Sequence, residues 1–144
     1  MPNFFTENAD LLFHFEQLKS ELRECIAISE DDYQYKQDFP HAPADYDDAL
    51  ENARLILGLV GDIAGNHIAE RASEVDEHGA KFENGKVTYA LGTQQNLAEL
   101  AQADLMGMIL PYRFGGLNMP FIIYTMAIEM VSRADASLMN IFGL

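Results

Sequence analysis

The segment Leu110-Pro111-Tyr112-Arg113-Phe114-Gly115-Gly116-Leu117 is followed by an almost entirely apolar stretch from Phe121 to Ala134. Proline and paired glycines favour a turn, and Pro120 suits the first turn of a helix because its missing N–H needs no partner there. The stretch therefore predicts a helix that is apolar on most of its sides. Because one small bundle covers only one side of such a helix, we expect the chain to be the front of a longer protein whose other parts cover the rest.

The composition is that of a globular domain and argues against several functions. Of the 144 residues, 49% are hydrophobic and 22% are charged, which suits one domain with its own core. A net charge of −14 argues against nucleic-acid binding, since a phosphate backbone requires a basic surface. We interpret acidic runs such as Glu30-Asp31-Asp32 as solvated surface. The sequence shows neither a secretion signal nor a long uninterrupted apolar segment, so we expect a cytoplasmic protein without a membrane span.

The first part of the chain predicts an amphipathic helix followed by a loop. Asn8 is a suitable N-cap, and the apolar stripe repeats every three or four residues at Leu11, Phe15, Leu18, Leu22 and Cys25. We therefore place Cys25 in the core as an inert thiol, and as the single cysteine it can form no intrachain disulfide. Prolines and aromatic residues over 30–44 break the periodicity and predict a surface loop.

The longest predicted helix starts at Asp45 or Asp47, with acids in its first turn, where the helix dipole favours them. Gly58, Gly61 and Gly65 lie inside it, although a helical glycine costs about 1 kcal/mol relative to alanine. Close approach of a neighbouring helix is the favoured explanation, and a ligand touching the bare backbone is the alternative. The helix follows its apolar stripe to the end, through Tyr46, Leu50, Ala53, Leu57, Val60, Ala64, Ile68 and Ala72.

The remainder predicts a small ribbon and further helices. Asn84-Gly85 lies between alternating apolar residues, which is a strong hairpin signal. Long helices joined by short connections predict an all-α fold, an up-and-down antiparallel bundle of four to five helices with a small β-hairpin. A helix is expected between the ribbon and Pro111, with an apolar stripe at Leu97, Leu100, Ala101, Leu105 and Met108.

A narrow polar ribbon runs along the apolar helix at Thr125, Glu129 and Ser132, which are spaced by four and three residues. In one interpretation it is the solvated edge of the helix, with Glu129 and Arg133 as an ion pair. In the other it lines an apolar cleft and orients a ligand. The pattern by itself favours the solvated edge. If Glu129 faced inward, desolvation would raise its pKa.

Four histidines raise the question of a metal site. His67 with Glu70, and Asp76-Glu77-His78 nearby, provide nitrogen and oxygen ligands. Their spacing matches neither His-Glu-x-x-His nor a paired Glu-x-x-His set. We therefore expect no metal site and place His67 at the surface or at a helix end. The sequence also has no glycine-rich nucleotide motif, so we expect no local phosphate cradle.

Several motifs near the carboxyl end belong together. They are Leu110-Pro111, the aromatic Phe114, Gly115-Gly116-Leu117, Ile128-Glu129-Met130, and Ser132 through Ser137 in the order Ser-Arg-Ala-Asp-Ala-Ser. Together they resemble the N-terminal helical domain of the acyl-CoA dehydrogenase family, and on that basis we assign residues 1–144 to such a domain, truncated before the β-domain and the C-terminal helical domain.

A second likeness lies upstream, from Asp76-Glu77-His78-Gly79 through the Asn84-Gly85 turn to Leu97. It resembles the branch typified by methylmercaptopropionyl-CoA dehydrogenase, which has a longer front end. The chain departs from the usual family pattern at Tyr112-Arg113, where acidic residues are common, and at Asn118, where many members have another glycine. Ile128-Glu129 stands where a pair of glutamates is common.

The resemblance implies a function for the longer parent protein. It implies FAD-dependent α,β-desaturation of an acyl-CoA thioester: a glutamate removes the α-proton, the β-hydrogen leaves as hydride to the flavin, and an electron-transfer flavoprotein accepts the electrons. The catalytic glutamate and most flavin contacts would lie in the two absent domains, so the 144-residue chain is expected to be inactive. The resemblance also implies that the helix from Phe121 to Ala134 forms one wall of the acyl pocket, with Ile128, Glu129 and Ser132 as substrate-binding residues.

The alternative is a freestanding helical interaction module whose exposed apolar helix docks a partner protein. In either case the bare apolar face predicts self-association, so we expect a homo-oligomer.

Overall fold

The computed structural model describes residues 2–143 and confirms the all-α class with one small β-hairpin. Within these residues, strands β1 (Lys81–Glu83) and β2 (Lys86–Thr88) form the ribbon. Short 3₁₀ turns occupy Gln34–Gln37, Leu105–Gly107 and Tyr112–Phe114. The α-helices are α1 (Ala9–Gln17), α2 (Lys19–Ser29), α3 (Tyr46–Ile63), α4 (Ala69–His78), α5 (Leu91–Gln102), α6 (Phe121–Ala134) and α7 (Ala136–Phe142).

The first predicted helix is divided into α1 and α2 at Leu18, although the backbone there keeps right-handed angles. Asn8 caps it as expected, since its side-chain oxygen accepts from the N–H groups of Asp10 and Leu11 at 3.1 Å. Cys25 was wrongly placed in the core, because its side chain is exposed and Ile26 points inward instead.

The longest helix is continuous from α3 through a π-helical turn (Ala64–Ile68) into α4. It begins as predicted, with the Asp45 carboxylate accepting from the N–H of Asp48 at 3.0 Å. It ends at His78, beyond the predicted Ala72. Counted as continuous rods within residues 2–143, the helices number five, in agreement with the predicted four to five.

Gly61 and Gly65 of this rod accommodate the N-terminal segment, so the expectation of a neighbouring helix was wrong there, and Gly58 has open space beside it. The N–H of Phe4 donates to the carbonyl of Gly61 at 3.0 Å, and the Asn3 amide donates to the carbonyl of Gly58 at 2.9 Å. A Cβ at Gly61 would lie 2.6 Å from the backbone nitrogen of Phe5. The missing side chains therefore let residues 2–5 lie directly on the rod.

The ribbon follows the predicted Asn84-Gly85 turn, and both residues have positive φ, 52° and 78°, as a tight two-residue hairpin requires. Phe82 pairs with Val87, and both side chains are exposed. Helix α5 is shorter than expected, because Asp104 adopts φ +56° and the chain continues in a 3₁₀ turn.

The antiparallel arrangement is clear for two helix pairs. Between α4 and α5, His67 contacts Glu99 and Glu74 contacts Gly92, so the two helices run in opposite directions. Between α6 and α7, the Tyr124 hydroxyl donates to the carbonyl of Phe142 at 3.1 Å. Within the described residues, none of the helices has both the length and the apolarity that a membrane crossing requires.

Candidate functional site

Helix α6 is covered on one side only. Its covered side comprises Ile123, Tyr124, Met126, Ala127, Met130, Val131 and Ala134. On the opposite side Phe121 is 69% exposed, Thr125 and Glu129 are exposed, and Ile128 and Ser132 are half-buried. The three predicted substrate-binding residues therefore lie together on the uncovered side, which we call the open face of α6 (Phe121, Thr125, Ile128, Glu129 and Ser132).

The open face is not uniform in chemistry. Glu129 is exposed on this face, so its own domain does not bury it. The predicted ion pair with Arg133 is absent from the described residues, because the Arg133 guanidinium carbon lies 4.5 Å from the centre of the Phe4 ring. Ile128 packs against the core. The face is thus apolar at the start of the helix and polar towards its end.

The loop between α5 and α6 holds the start of this helix in place. Gly115 has φ +79°, a conformation that favours glycine. Gly116 lies against the backbone of Leu110, where an added Cβ would come within 2.5 Å of the carbonyl carbon. Asn118 also adopts a left-handed conformation, with φ +52°. Gly116 is therefore required by the close approach to Leu110, and Gly115 by its left-handed backbone.

Glu30 was expected at the solvated surface, and the structure corrects this. Its side chain is 4% exposed and one carboxylate oxygen, Oε1, accepts from the Tyr112 hydroxyl at 2.9 Å and from the Asn118 amide at 3.0 Å. The other oxygen, Oε2, is buried without a hydrogen-bond partner among the described residues. Desolvation raises the pKa of Glu30, and the bonds from Asn118 and Tyr112 lower it by less.

Tyr112 is the centre of an aromatic cluster on the outer side of this loop. Its ring centre lies 5.0 Å from that of His41 and 5.4 Å from that of Phe39. Burial, together with the neighbouring Glu30, raises the pKa of its hydroxyl. A cavity of about 180 Å³ adjoins the cluster and is lined by Tyr35, Phe39, Pro111, Tyr112, Arg113 and Asn118.

A second polar cluster joins α4 to α5. Glu99 accepts from Arg71 at 2.8 Å and lies 2.6 Å from Nδ1 of His67, and Arg71 also donates to Asn96 at 2.7 Å. The bond from Arg71 lowers the pKa of Glu99, with a smaller effect from His67, and the bond to Glu99 raises the pKa of Arg71. His67 is half-exposed, as predicted. Among residues 2–143 no group of three or more potential ligands is arranged to hold a metal ion.

Helix α7 begins at Asp135, which caps it. One carboxylate oxygen accepts from the N–H of Ser137 at 2.8 Å, from its hydroxyl at 2.6 Å and from the N–H of Leu138 at 3.1 Å. The Ser-Arg-Ala-Asp-Ala-Ser motif is therefore the junction of two helices, and the capping aspartate makes the sharp turn from α6 into α7.

Comparison with known families bears on the same elements. The sequence model described as "Acyl-CoA dehydrogenase, N-terminal domain" matches residues 51–144, which include α4, α5, α6, the glycine loop and the capping aspartate. The chain belongs to the acyl-CoA dehydrogenase family. The resemblance inferred from the motifs is confirmed, and the match reaches back into α3, where the sequence offered no motif that we had recognised.

A curated relative agrees with the predicted branch of this family. The 3-methylmercaptopropionyl-CoA dehydrogenase of Ruegeria pomeroyi (strain ATCC 700808 / DSM 15171 / DSS-3) is 30% identical over 95 residues, which are 66% of this chain and 16% of the relative. The chain therefore corresponds to a small part of the length of that acyl-CoA dehydrogenase.

The sequence analysis missed the buried role of Glu30, although a signal was present. Leu22, Ile26 and Glu30 are spaced by four residues, so helical periodicity places Glu30 on the buried stripe. Its position beside two further acids suggested a solvated run instead. The partners Tyr112 and Asn118 are more than 80 residues away in sequence, and no local pattern identifies them.

Proposed function

We propose that this chain is the N-terminal domain of an FAD-dependent acyl-CoA dehydrogenase, and that the open face of α6 forms one wall of the acyl pocket. The proposal rests on one observation: helix α6 lies inside the family match, and its own domain leaves one side of it uncovered. Phe121 and Ile128 supply apolar surface there, and Thr125, Glu129 and Ser132 supply sparse polar groups. Apolar walls with a few orienting polar groups are typical of small-molecule sites.

The proposed reaction of the parent is α,β-desaturation of an acyl-CoA thioester. The α-carbon loses a proton to a base and the β-carbon loses a hydride, so a carbon–carbon double bond forms and two electrons leave the substrate. FAD is the proposed oxidant, and an electron-transfer flavoprotein is the proposed partner that removes the electrons. Ile128, Glu129 and Ser132 are proposed to contact the acyl group, and none of them is assigned a catalytic role.

The cavity beside the end of α4 does not by itself fit FAD. The cavity between the end of α4, the ribbon and α7 is about 360 Å³, and its one charged residue, Asp76, is acidic. A pyrophosphate is bound instead by basic side chains or by clustered backbone N–H groups. We therefore place the flavin contacts in parts of the parent outside this chain, and we expect the 144-residue chain to be inactive.

The proposal is tested in the full-length parent by lengthening a side chain on the open face. Ser132→Leu adds bulk to the proposed wall, so kcat/KM for long acyl-CoA substrates should fall by about tenfold while short ones change little, since one or two methylenes in an apolar pocket are worth that much. Glu51→Leu, on the exposed side of α3, is the matched control and should leave both values unchanged.

An equal fall in kcat/KM for short and long substrates, or no fall for either, contradicts the assignment of the open face to the wall of the acyl pocket. Absence of acyl-CoA-dependent reduction of an electron acceptor by the unmodified parent contradicts the reaction itself. Conversely, FAD binding and turnover by the 144-residue chain alone would contradict the placement of the flavin contacts elsewhere.

A second candidate function is a freestanding interaction module, which is favoured by the exposed aromatic side chains of Phe114 (66%) and Phe121 (69%). Such exposed apolar groups favour association. Sedimentation of the 144-residue chain should show a dimer or larger species, and Phe121→Asp should shift it towards monomer. A gene that stops after residue 144, with no dehydrogenase activity, would favour this candidate over the first.

A further inference from the structure

The Glu30 carboxyl connects two parts of the chain that are far apart in sequence. It lies at the end of α2, and its Oε1 accepts from Tyr112 and from Asn118 in the loop before α6. The Asn118 amide also donates to the carbonyl of Ser29 at 2.8 Å. The loop is therefore tied to α2 through the Glu30 side chain and the adjacent backbone.

Asn118 is well suited to this connection because of its backbone conformation. Its φ of +52° lies in the left-handed region, which glycine adopts without cost and asparagine tolerates better than most residues. Its side chain makes two bonds that a glycine could not make. Its own N–H donates to Leu110 at 3.0 Å, and the next N–H, of Met119, donates to Met108 at 2.8 Å. These two backbone bonds close the loop immediately before α6.

The surroundings of Glu30 favour its neutral form. Tyr112 and Asn118 face it from the loop, Tyr33 lies near it in the chain after α2, and Asn52 of α3 lines the same small cavity. None of these groups is cationic near neutral pH, and among the described residues Glu30 forms no ion pair with Arg23 or Arg113, the cations of the neighbouring segments. Oε2 has no partner among the described residues. Burial of an unpaired, half-satisfied carboxylate is costly.

We propose that Glu30, Tyr112 and Asn118 form a proton-controlled latch on the loop before α6, closed when the Glu30 carboxyl is protonated and loosened when it is ionised. The protonated carboxyl still offers an oxygen to both donors. Ionisation draws water towards the buried charge and weakens the contact between α2 and the loop. The latch does not depend on the proposed enzymatic function, since it involves only groups within this chain.

Hydrogen exchange of the Asn118 and Met119 amides in the 144-residue chain tests this proposal. After correction for the intrinsic pH dependence of exchange, protection of both amides should fall severalfold as the pH is raised from below 4.5, the usual value for a glutamate, to neutral, because burial disfavours the ionised carboxylate in the closed loop. Amides in the middle of α3, such as that of Val60, are the internal control and should keep their protection.

Three variants separate the latch from simple packing. In Glu30→Gln the acceptor for both donors remains and the charge is removed, so protection should be high at every pH. In Asn118→Gly the side-chain bonds are lost, so protection should be low at every pH. In Tyr112→Phe the ionised carboxylate loses a donor, so the fall in protection should move to higher pH.

Protection in the unmodified chain that does not change with pH overturns the proposal, and so does a Glu30→Gln variant that keeps the pH dependence. If Glu30→Gln does not fold, Tyr112→Phe decides: a shift of the transition to higher pH supports the latch, and no shift or a shift to lower pH overturns it.

Discussion

Two glutamates of this domain, Glu99 and Glu30, occupy similar polar clusters and show opposite behaviour. Glu99 is partly exposed and bonded to the Arg71 guanidinium, which lowers its pKa. Glu30 is 4% exposed and bonded to the neutral donors Tyr112 and Asn118, and burial raises its pKa. The number of hydrogen bonds is similar in the two clusters. The guanidinium beside Glu99 and the burial of Glu30 among neutral donors therefore favour opposite protonation states.

The two clusters also differ in what they connect. Arg71, Asn96 and Glu99 join the adjacent antiparallel helices α4 and α5 with ordinary helical geometry. Glu30 connects a helix end to a loop that contains several residues with positive φ. We therefore expect the α4–α5 cluster to contribute mainly to stability and the Glu30 cluster mainly to the position of the loop before α6.

Removal of the cation should have the largest effect. Arg71→Met leaves Glu99 with His67 alone and leaves the buried Asn96 amide without its bond, so the free energy of unfolding should fall by about 2 kcal/mol. Urea denaturation at pH 7 measures the change. Arg54→Met is the matched control, because Arg54 pairs with Glu16 at the surface and its loss should cost about 0.5 kcal/mol or less. Equal losses of unfolding free energy in the two variants would mean that the Arg71–Glu99 pair adds no more stability than the surface pair of Arg54 with Glu16.

Neutralising each glutamate should change the pH dependence of stability in opposite directions. The lowered pKa of Glu99 gives stability that is present above the usual value of 4.5 and is lost as pH falls through the lowered pKa. The raised pKa of Glu30 gives stability that is present below 4.5 and is lost as pH rises through the raised pKa.

Thermal or urea unfolding between about pH 3 and pH 8 separates the two contributions. Glu99→Gln should be less stable than the unmodified chain at neutral pH, and this difference should shrink as the pH falls. Glu30→Gln should become more stable than the unmodified chain as the pH rises. The same pH trend in both variants would contradict the comparison of the two sites.

The smallest effect is expected at His67. Its side chain is 43% exposed, so solvent screens its interaction with Glu99 and His67→Gln should change the free energy of unfolding at pH 7 by about 0.5 kcal/mol or less. Urea denaturation of His67→Gln and of Arg71→Met compares the losses of unfolding free energy that follow removal of each partner of Glu99. A loss as large as that of Arg71→Met would show that His67, and not the guanidinium, holds the cluster together.

Local sequence signals predicted much of this fold. The Asn84-Gly85 turn, the caps Asn8 and Asp45 and the helix starting at Phe121 are all found where residue types and spacing placed them. These features depend on backbone preferences within a few residues. The family motifs between Leu110 and Leu144 were also sufficient to identify the family that the comparison confirms.

The errors share one cause, which is contact between distant parts of the chain. Cys25 and Ile26 are adjacent apolar residues, and the packing of α2 buries Ile26 and leaves Cys25 exposed. Gly61 and Gly65 accommodate residues 2–5 and not a helix, which the sequence could not show because the path of the N-terminal segment has no periodic signature. The site residues Ile128, Glu129 and Ser132 share the open face as their spacing predicts, and their contact with an acyl group stays a prediction.

The sequence by itself determined the helical class, the ribbon, the family and the side of α6 on which its polar residues lie, because periodicity and turn preferences are properties of neighbouring residues. The tertiary structure alone decided that Tyr112 and Asn118 are the partners of Glu30, and that Glu99 meets Arg71. The pKa of a carboxyl depends on the solvent and charges within a few ångströms of it. Those neighbours are set by packing between segments far apart in the chain.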